Sequence, residues 1–190
     1  MDNLIDSNST FKKFDFSSTI TAEDNQNAIQ IVNSIIDSGN YWENSPKFQT
    51  KENIFARPEP LWLKYRMSFL FSIFMYFDKE VKVGNMQAWS FKTNTAGSED
   101  RENLWHHHQH KPQPQSMSGI MYLEIPADVE NKDYCGTEFA PNGPEKEGKF
   151  FVKPADYSWL VYPSHYWHRP AMPQSDKYRY IIAADVEITT

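Results

Sequence analysis

Only one of the 190 residues, Cys135, is a cysteine. No intrachain disulfide can form, and a reducing compartment fits best. Basic charge is scarce as well: 19 Lys and Arg stand against 25 Asp and Glu, for a formal net charge of −6. Without a global positive field to steer it onto a polyanion, the chain does not read as a DNA- or RNA-binding module. Long hydrophobic runs are missing. The most apolar stretch, MSFLFSIFMYF at 67–77, is too short to span a bilayer and has Lys64, Arg66 and Asp78 at its edges. The N-terminus has no basic region followed by an apolar one, so no signal peptide is expected and the expected location is cytoplasmic. No glycine-rich loop with a lysine precedes a helix, which removes phosphate-loop nucleotide binding.

What is present suffices for a core. Hydrophobic residues make up 39% and aromatics 15% of the chain, so one domain over 1–190 is expected, with a helical part at 1–80 and a β-rich part at 81–190. In TAEDNQNAIQIVNSIIDSG, Thr21 can cap a helix, Glu23 and Asp24 occupy its first turn, and Ala28, Ile31, Val32, Ile35 and Ile36 recur at helical spacing before Gly39. A second helix is predicted from the prolines Pro58 and Pro60 to about Glu80, buried on several sides. Beyond Val81 the pattern becomes short, branched and aromatic. KVGNMQAWSFKT, MSGIMYLEIP, GTEF, KFFVKP, YSWLVYPS and YRYIIAADVEI are bounded by turn residues. About eight strands preceded by two helices predict a mainly β (α+β) jelly roll, with the helices packed on one sheet.

Every imidazole lies in one of two clusters: His106, His107, His108 and His110 in LWHHHQH, and His165 and His168 in VYPSHYWHRP. Along a strand, His106, His108 and His110 would share one face, so two of them at i and i+2 could converge on a metal ion with a third ligand from another strand. The plain alternative is a surface accident with adventitious metal affinity.

The run VKP, LVYPS, a histidine four residues after Ser164 and an arginine eleven residues after that histidine resembles the iron(II)- and 2-oxoglutarate-dependent oxygenases. MQAWS, SGIMYLE and GTEF fall in the matching order, and the resemblance covers about 83–188. It is nearest to a small prolyl-hydroxylase-like branch with a His-x-His pair before Ser-Gly-x-x-Tyr. The resemblance implies a double-stranded β-helix, iron(II) and 2-oxoglutarate as cofactors, and His168 as the distal metal ligand. Arg179 would pair with the far carboxylate of 2-oxoglutarate, a task that suits a planar, always-charged guanidinium. Ser118 and Tyr122 would add hydroxyl contacts to the same cosubstrate, and Trp89 would stand at the pocket wall. His165 sits too early in its loop to match.

One feature of the family pattern is missing. Its usual ligand set is two imidazoles and one carboxylate, and no acid stands two residues after any histidine of the first cluster. Three ligand sets remain open: His108, His110 and His168, which is favoured; His106 and His108 in place of the first pair; or a carboxylate from elsewhere, with Glu138 as candidate. The resemblance implies oxidation of a small-molecule or peptide substrate with decarboxylation of the keto acid. A cupin-like three-histidine dioxygenase or a zinc site without a keto acid is the alternative, and a non-enzymatic jelly-roll binding module is the third. Oligomeric state is not encoded in any motif.

Overall fold

In the computed structural model, residues 10–44, 47–95, 104–108, 115–129, 135–171 and 174–189 are described. Helix α1 (Ala22–Asp37) begins where its capping residue allows. Thr21 is extended; its hydroxyl accepts from Asp24 N at 3.1 Å while the Asp24 carboxylate accepts from Thr21 N at 2.8 Å. This reciprocal pair satisfies two backbone donors that a helix start would otherwise leave open. Gly39, with φ of +80°, turns the chain just beyond the other end. Helix α2 (Pro60–Phe77) starts on Pro60 and stops at the left-handed Asp78, slightly before the expected end. Its burial is one-sided, contrary to expectation. Trp62, Tyr65, Phe69 and Ile73 are inaccessible, whereas Leu63, Met67 and Phe71 are each more than half exposed. No described helix is long and apolar enough to cross a membrane.

Ten strands are described: β1 (Lys12–Asp15), β2 (Tyr41–Asn44), β3 (Lys47–Thr50), β4 (Lys82–Thr93), β5 (Gln115–Glu124), β6 (Thr137–Ala140), β7 (Phe150–Val152), β8 (Ser158–Pro163), β9 (Trp167–Pro170) and β10 (Arg179–Thr189). They form a seven-stranded sheet, β1-β8-β5-β10-β4-β3-β2, and a three-stranded sheet, β7-β6-β9, with antiparallel pairing throughout. β1, β2 and β3 arise where only helices were expected. Each is four residues long and joins the edge region of the large sheet. Ladder hydrogen bonds to a neighbour, which leave no local signature, decide such strands.

Side-chain alternation divides the large sheet into two working faces. Met117, Met121, Trp159, Val161, Ile182, Ala184 and Val186 pack under the helices, while Ile120, Tyr122, Leu160, Tyr162, Ile181 and Ala183 face the small sheet. Gly119 lies on the helix side, where a Cβ would come within 2.5 Å of Phe69 Cε2, so its missing side chain lets α2 sit down on β5. The result is a jelly roll with two helices on its larger sheet.

Asp24 also binds Lys64 of α2, with both carboxylate oxygens 2.7 Å from Nζ. Burial pushes the Asp24 carboxyl up, but the Lys64 ammonium and the Thr21 donors outweigh it and hold the group below 3.8. A carboxyl depressed in the folded state contributes stability above its unfolded pKa and loses it as the pH falls through the folded value. Asp24→Asn is therefore expected to cost about 1 kcal/mol at neutral pH and to flatten the stability loss below about pH 4. Denaturant unfolding of both proteins across that range checks this; equal acid sensitivity would contradict it.

Candidate metal and anion site

The segment 104–108 runs antiparallel along β9. His106 N donates to His168 O at 3.1 Å, His168 N donates to His106 O at 2.9 Å, and His108 N donates to Ser164 O at 2.9 Å. Directly opposed residues of an antiparallel pair project to the same side. The rings of His106 and His168 accordingly meet, with centroids 4.3 Å apart, and His108 joins them at 5.1 and 4.9 Å. One ring nitrogen of each lies within 4.8 Å of one from each of the others. His107 turns the other way, against Trp167, and His165 lies on Tyr166, so neither joins the cluster. His110 lies outside the described residues. Of the three ligand sets open in the sequence, the second is the one whose rings the described residues gather.

The outer hydrogen bonds fix the tautomers. Nδ1 of His106 is 2.7 Å from Leu104 O, Nδ1 of His168 is 2.9 Å from Tyr166 O, and Nδ1 of His108 is 2.8 Å from Asp185 Oδ1. A carbonyl or carboxylate oxygen can only accept, so each Nδ1 carries a proton, and in the neutral ring the lone pair is then on Nε2. This is how a metal-ligating histidine is usually held. Tyr162 completes the group. Its hydroxyl lies 3.1 Å from His168 Nε2, and burial holds the phenol well above its ordinary range.

Asp185 was not read from the sequence. It sits in the apolar run of β10, on the face that also carries Arg179, Ile181 and Ala183. That parity with Arg179 was the available signal. Across the sheet, Asp185 stands opposite Ser118, and Ser118 opposite Tyr162. Ser118 Oγ is 2.6 Å from Asp185 Oδ1 and 2.8 Å from Ser164 Oγ, so this buried serine sits behind His108.

At the other end of the site, Arg179 is 1% exposed. Its Nη1 donates to Cys135 O at 2.8 Å, Gly136 O at 3.2 Å and Ala171 O at 2.7 Å. Nε and Nη2 are buried without a hydrogen-bond partner among the described residues. Burial pulls the guanidinium pKa down, opposed by Tyr122 and Cys135. Thr93 stands directly opposite Arg179 on β4, and its buried Oγ1 also lacks a partner among the described residues. Tyr122 donates or accepts at Thr137 Oγ1, 2.8 Å away. A cavity of about 280 Å³ connects the two ends, with His106, His108, His168, Arg179, Tyr122 and Trp89 in its wall. The Trp89 ring lies edge-on to His108 at 5.2 Å. A second, polar hollow of about 320 Å³ adjoins it, with Trp42, Lys51, Gln87 and Asp185 in its wall and Gln49, Trp89 and His108 common to both.

Glu138 is placed elsewhere. It is buried with its Oε2 2.6 Å from Arg169 Nε, and Arg169 lies 4.4 Å over the Trp105 ring. Its neighbours Thr137 and Phe139 take the inner face of β6, so alternation turns Glu138 outward. Breaking this buried pair is expected to cost about 3 kcal/mol without touching the histidines. Glu138→Gln should lower the melting temperature yet keep full metal binding by elemental analysis; loss of the metal would put Glu138 inside the site.

No protein-family model and no curated protein sequence matches the chain. Solved structures do. A prolyl hydroxylase from Trichoplax adhaerens, in complex with a hypoxia inducible factor peptide fragment, aligns over 95% of this chain and 84% of its own, with a TM-score of 0.64 and 11% identity. HygX from Streptomyces hygroscopicus, with nickel and 2-oxoglutarate bound, gives 0.63 and 8% over the same shares. A Pseudomonas putida prolyl-4-hydroxylase gives 0.61 and 8%, over 95% of this chain and 94% of its own. The chain thus has the double-stranded β-helix fold of the prolyl hydroxylases and their 2-oxoglutarate-using structural neighbours.

Proposed function

We propose that this protein is an iron(II)- and 2-oxoglutarate-dependent oxygenase acting on a small-molecule or peptide substrate. One observation carries the reading: a buried arginine leaves two adjacent N–H groups unpaired in the same cavity wall as three imidazoles. An unpaired buried charge is costly, and an anionic ligand is the natural compensation. The Nε and Nη2 groups form one bidentate edge, which matches a carboxylate. Thr93 Oγ1, the other unpartnered donor beside it, fits the same group.

The residues fit a metal ion. The Nε2 atoms of His106, His108 and His168 would hold it, leaving other coordination positions open. Bound iron(II) with the keto acid supplies oxidation of a C–H bond by dioxygen, coupled to keto-acid decarboxylation. The chain contributes orientation and shelter. Arg179 and Thr93 would anchor the far carboxylate, Tyr122 would border its carbon chain, and Trp89 and Tyr162 would keep water from the metal. The second hollow shares Trp89 and His108 with the cavity, which makes it the substrate approach in this reading. Its mixed polar wall suits a polar small molecule or a peptide. Neighbours with a peptide and with hygromycin B bound support both classes without choosing between them.

The all-nitrogen ligand set favours a second reading, a three-histidine dioxygenase or zinc site without a keto acid. It leaves the Arg179 edge without a ligand. Anaerobic titration of the iron(II) protein with 2-oxoglutarate separates the two by the visible charge-transfer band of the chelate. The band is expected in the parent, absent in His168→Ala, and shifted to at least tenfold higher keto-acid concentration in Arg179→Gln. A tightly held metal with no band would favour the second reading, and no metal at all would leave a non-enzymatic binding module.

A further inference from the structure

A set of two imidazoles and one carboxylate places a negative charge on the metal, whereas three neutral imidazoles place none. Resting on the metal site proposed above, we infer that Asp185 supplies the missing charge through His108. Its Oδ1 lies 2.8 Å from His108 Nδ1, so the ring is held between the carboxylate and the cluster. Charge-assisted hydrogen bonds of this kind are about twice as strong as neutral ones and make the far nitrogen a better donor to a metal. The carboxylate is held for this task. Ser118 Oγ, 2.6 Å from the same oxygen, fixes its orientation from the adjacent strand.

Asp185 is the right acid for two further reasons. Among the described residues no lysine or arginine pairs with it, so its charge is shared only between His108 and the neutral Ser118 hydroxyl. Glu138, the buried acid of the small sheet, is already neutralised by Arg169. Alternation along β10 also puts Asp185 on the face of Arg179. The same strand therefore provides the anion behind the metal and the cation for the cosubstrate.

Asparagine at 185 separates charge from geometry, because its amide oxygen can still accept from His108 Nδ1. Affinity for cobalt(II) would be measured on the full chain by competition with a chromophoric chelator. The iron(III)/iron(II) midpoint potential and the melting temperature would be taken alongside. Asp185→Asn is expected to bind cobalt about tenfold more weakly and to show a raised potential with the fold retained. Moving the charge onto the metal in His108→Asp/Asp185→Asn is expected to recover the lost affinity. A neutral Asp185→Asn variant with unchanged affinity and potential would overturn the inference and leave the oxygenase reading standing. So would a double variant no better than Asp185→Asn. Failure of the parent protein to bind cobalt would remove the metal centre itself, and this inference with it.

Discussion

The pairing of residues 104–108 with β9 is the constraint on which the site rests. Two reciprocal hydrogen bonds between His106 and His168 join positions 62 residues apart in the sequence and oblige their side chains to share a face. The bond from His108 N to Ser164 O then extends the contact and brings the third ring into range. None of this requires a metal. The imidazoles are gathered by backbone geometry, and their outer nitrogens are satisfied by acceptors that leave Nε2 facing inward. A site assembled this way is preorganised, so a ligand would spend little free energy on ordering it.

Strand β10 gives the site its polarity. Arg179 and Asp185 share one face of the strand, six residues and about 20 Å of extended chain apart. Between them, Ile181 and Ala183 are small enough or apolar enough to leave the middle of the sandwich to the cavity. The positive end is fully buried and the negative end reaches the open hollow. A diacid entering with one carboxylate toward Arg179 would leave its other end near the histidines. A substrate would come from the opposite side, past Trp89. The helices take no part in this chemistry. They cover the outer face of the same sheet, where Phe69 of α2 packs on Trp159 of β8 and closely approaches Gly119 of β5.

Much of this was legible in the sequence, and the limits have physical causes. The helix at 22–37 carried both a capping pair and a 3.6-residue period, two signals that agree. The strands after Val81 were legible as short branched and aromatic runs bounded by turn residues, because β5, β8 and β10 are buried on both faces. Arg179 stood out because its spacing from His168 matched a known pattern. The place of His106 did not, since i and i+2 positions are equivalent on any strand; its position opposite His168 is set by the partner strand, and partners are not written locally. β1, β2 and β3 were missed for the same reason. Asp185 was hidden by its setting, an acid that directly follows the apolar residues 181–184 of β10, although its parity with Arg179 marked it as inward-facing. The apolar run of α2 misled in the other direction: its Leu63, Met67 and Phe71 face outward, and composition alone cannot say which side of a uniformly apolar helix is covered.

The central claim is that one metal and one keto acid are held in a single cavity by three imidazoles and an arginine. Anomalous diffraction from crystals grown anaerobically with manganese(II) and 2-oxoglutarate tests it most directly. The account predicts one manganese ion bound by Nε2 of His106, His108 and His168, with the far carboxylate of the keto acid against Nε and Nη2 of Arg179. An ion ligated through His110 or Glu138, or a cavity in which Arg179 keeps its two nitrogens unpaired beside an occupied metal, would contradict it.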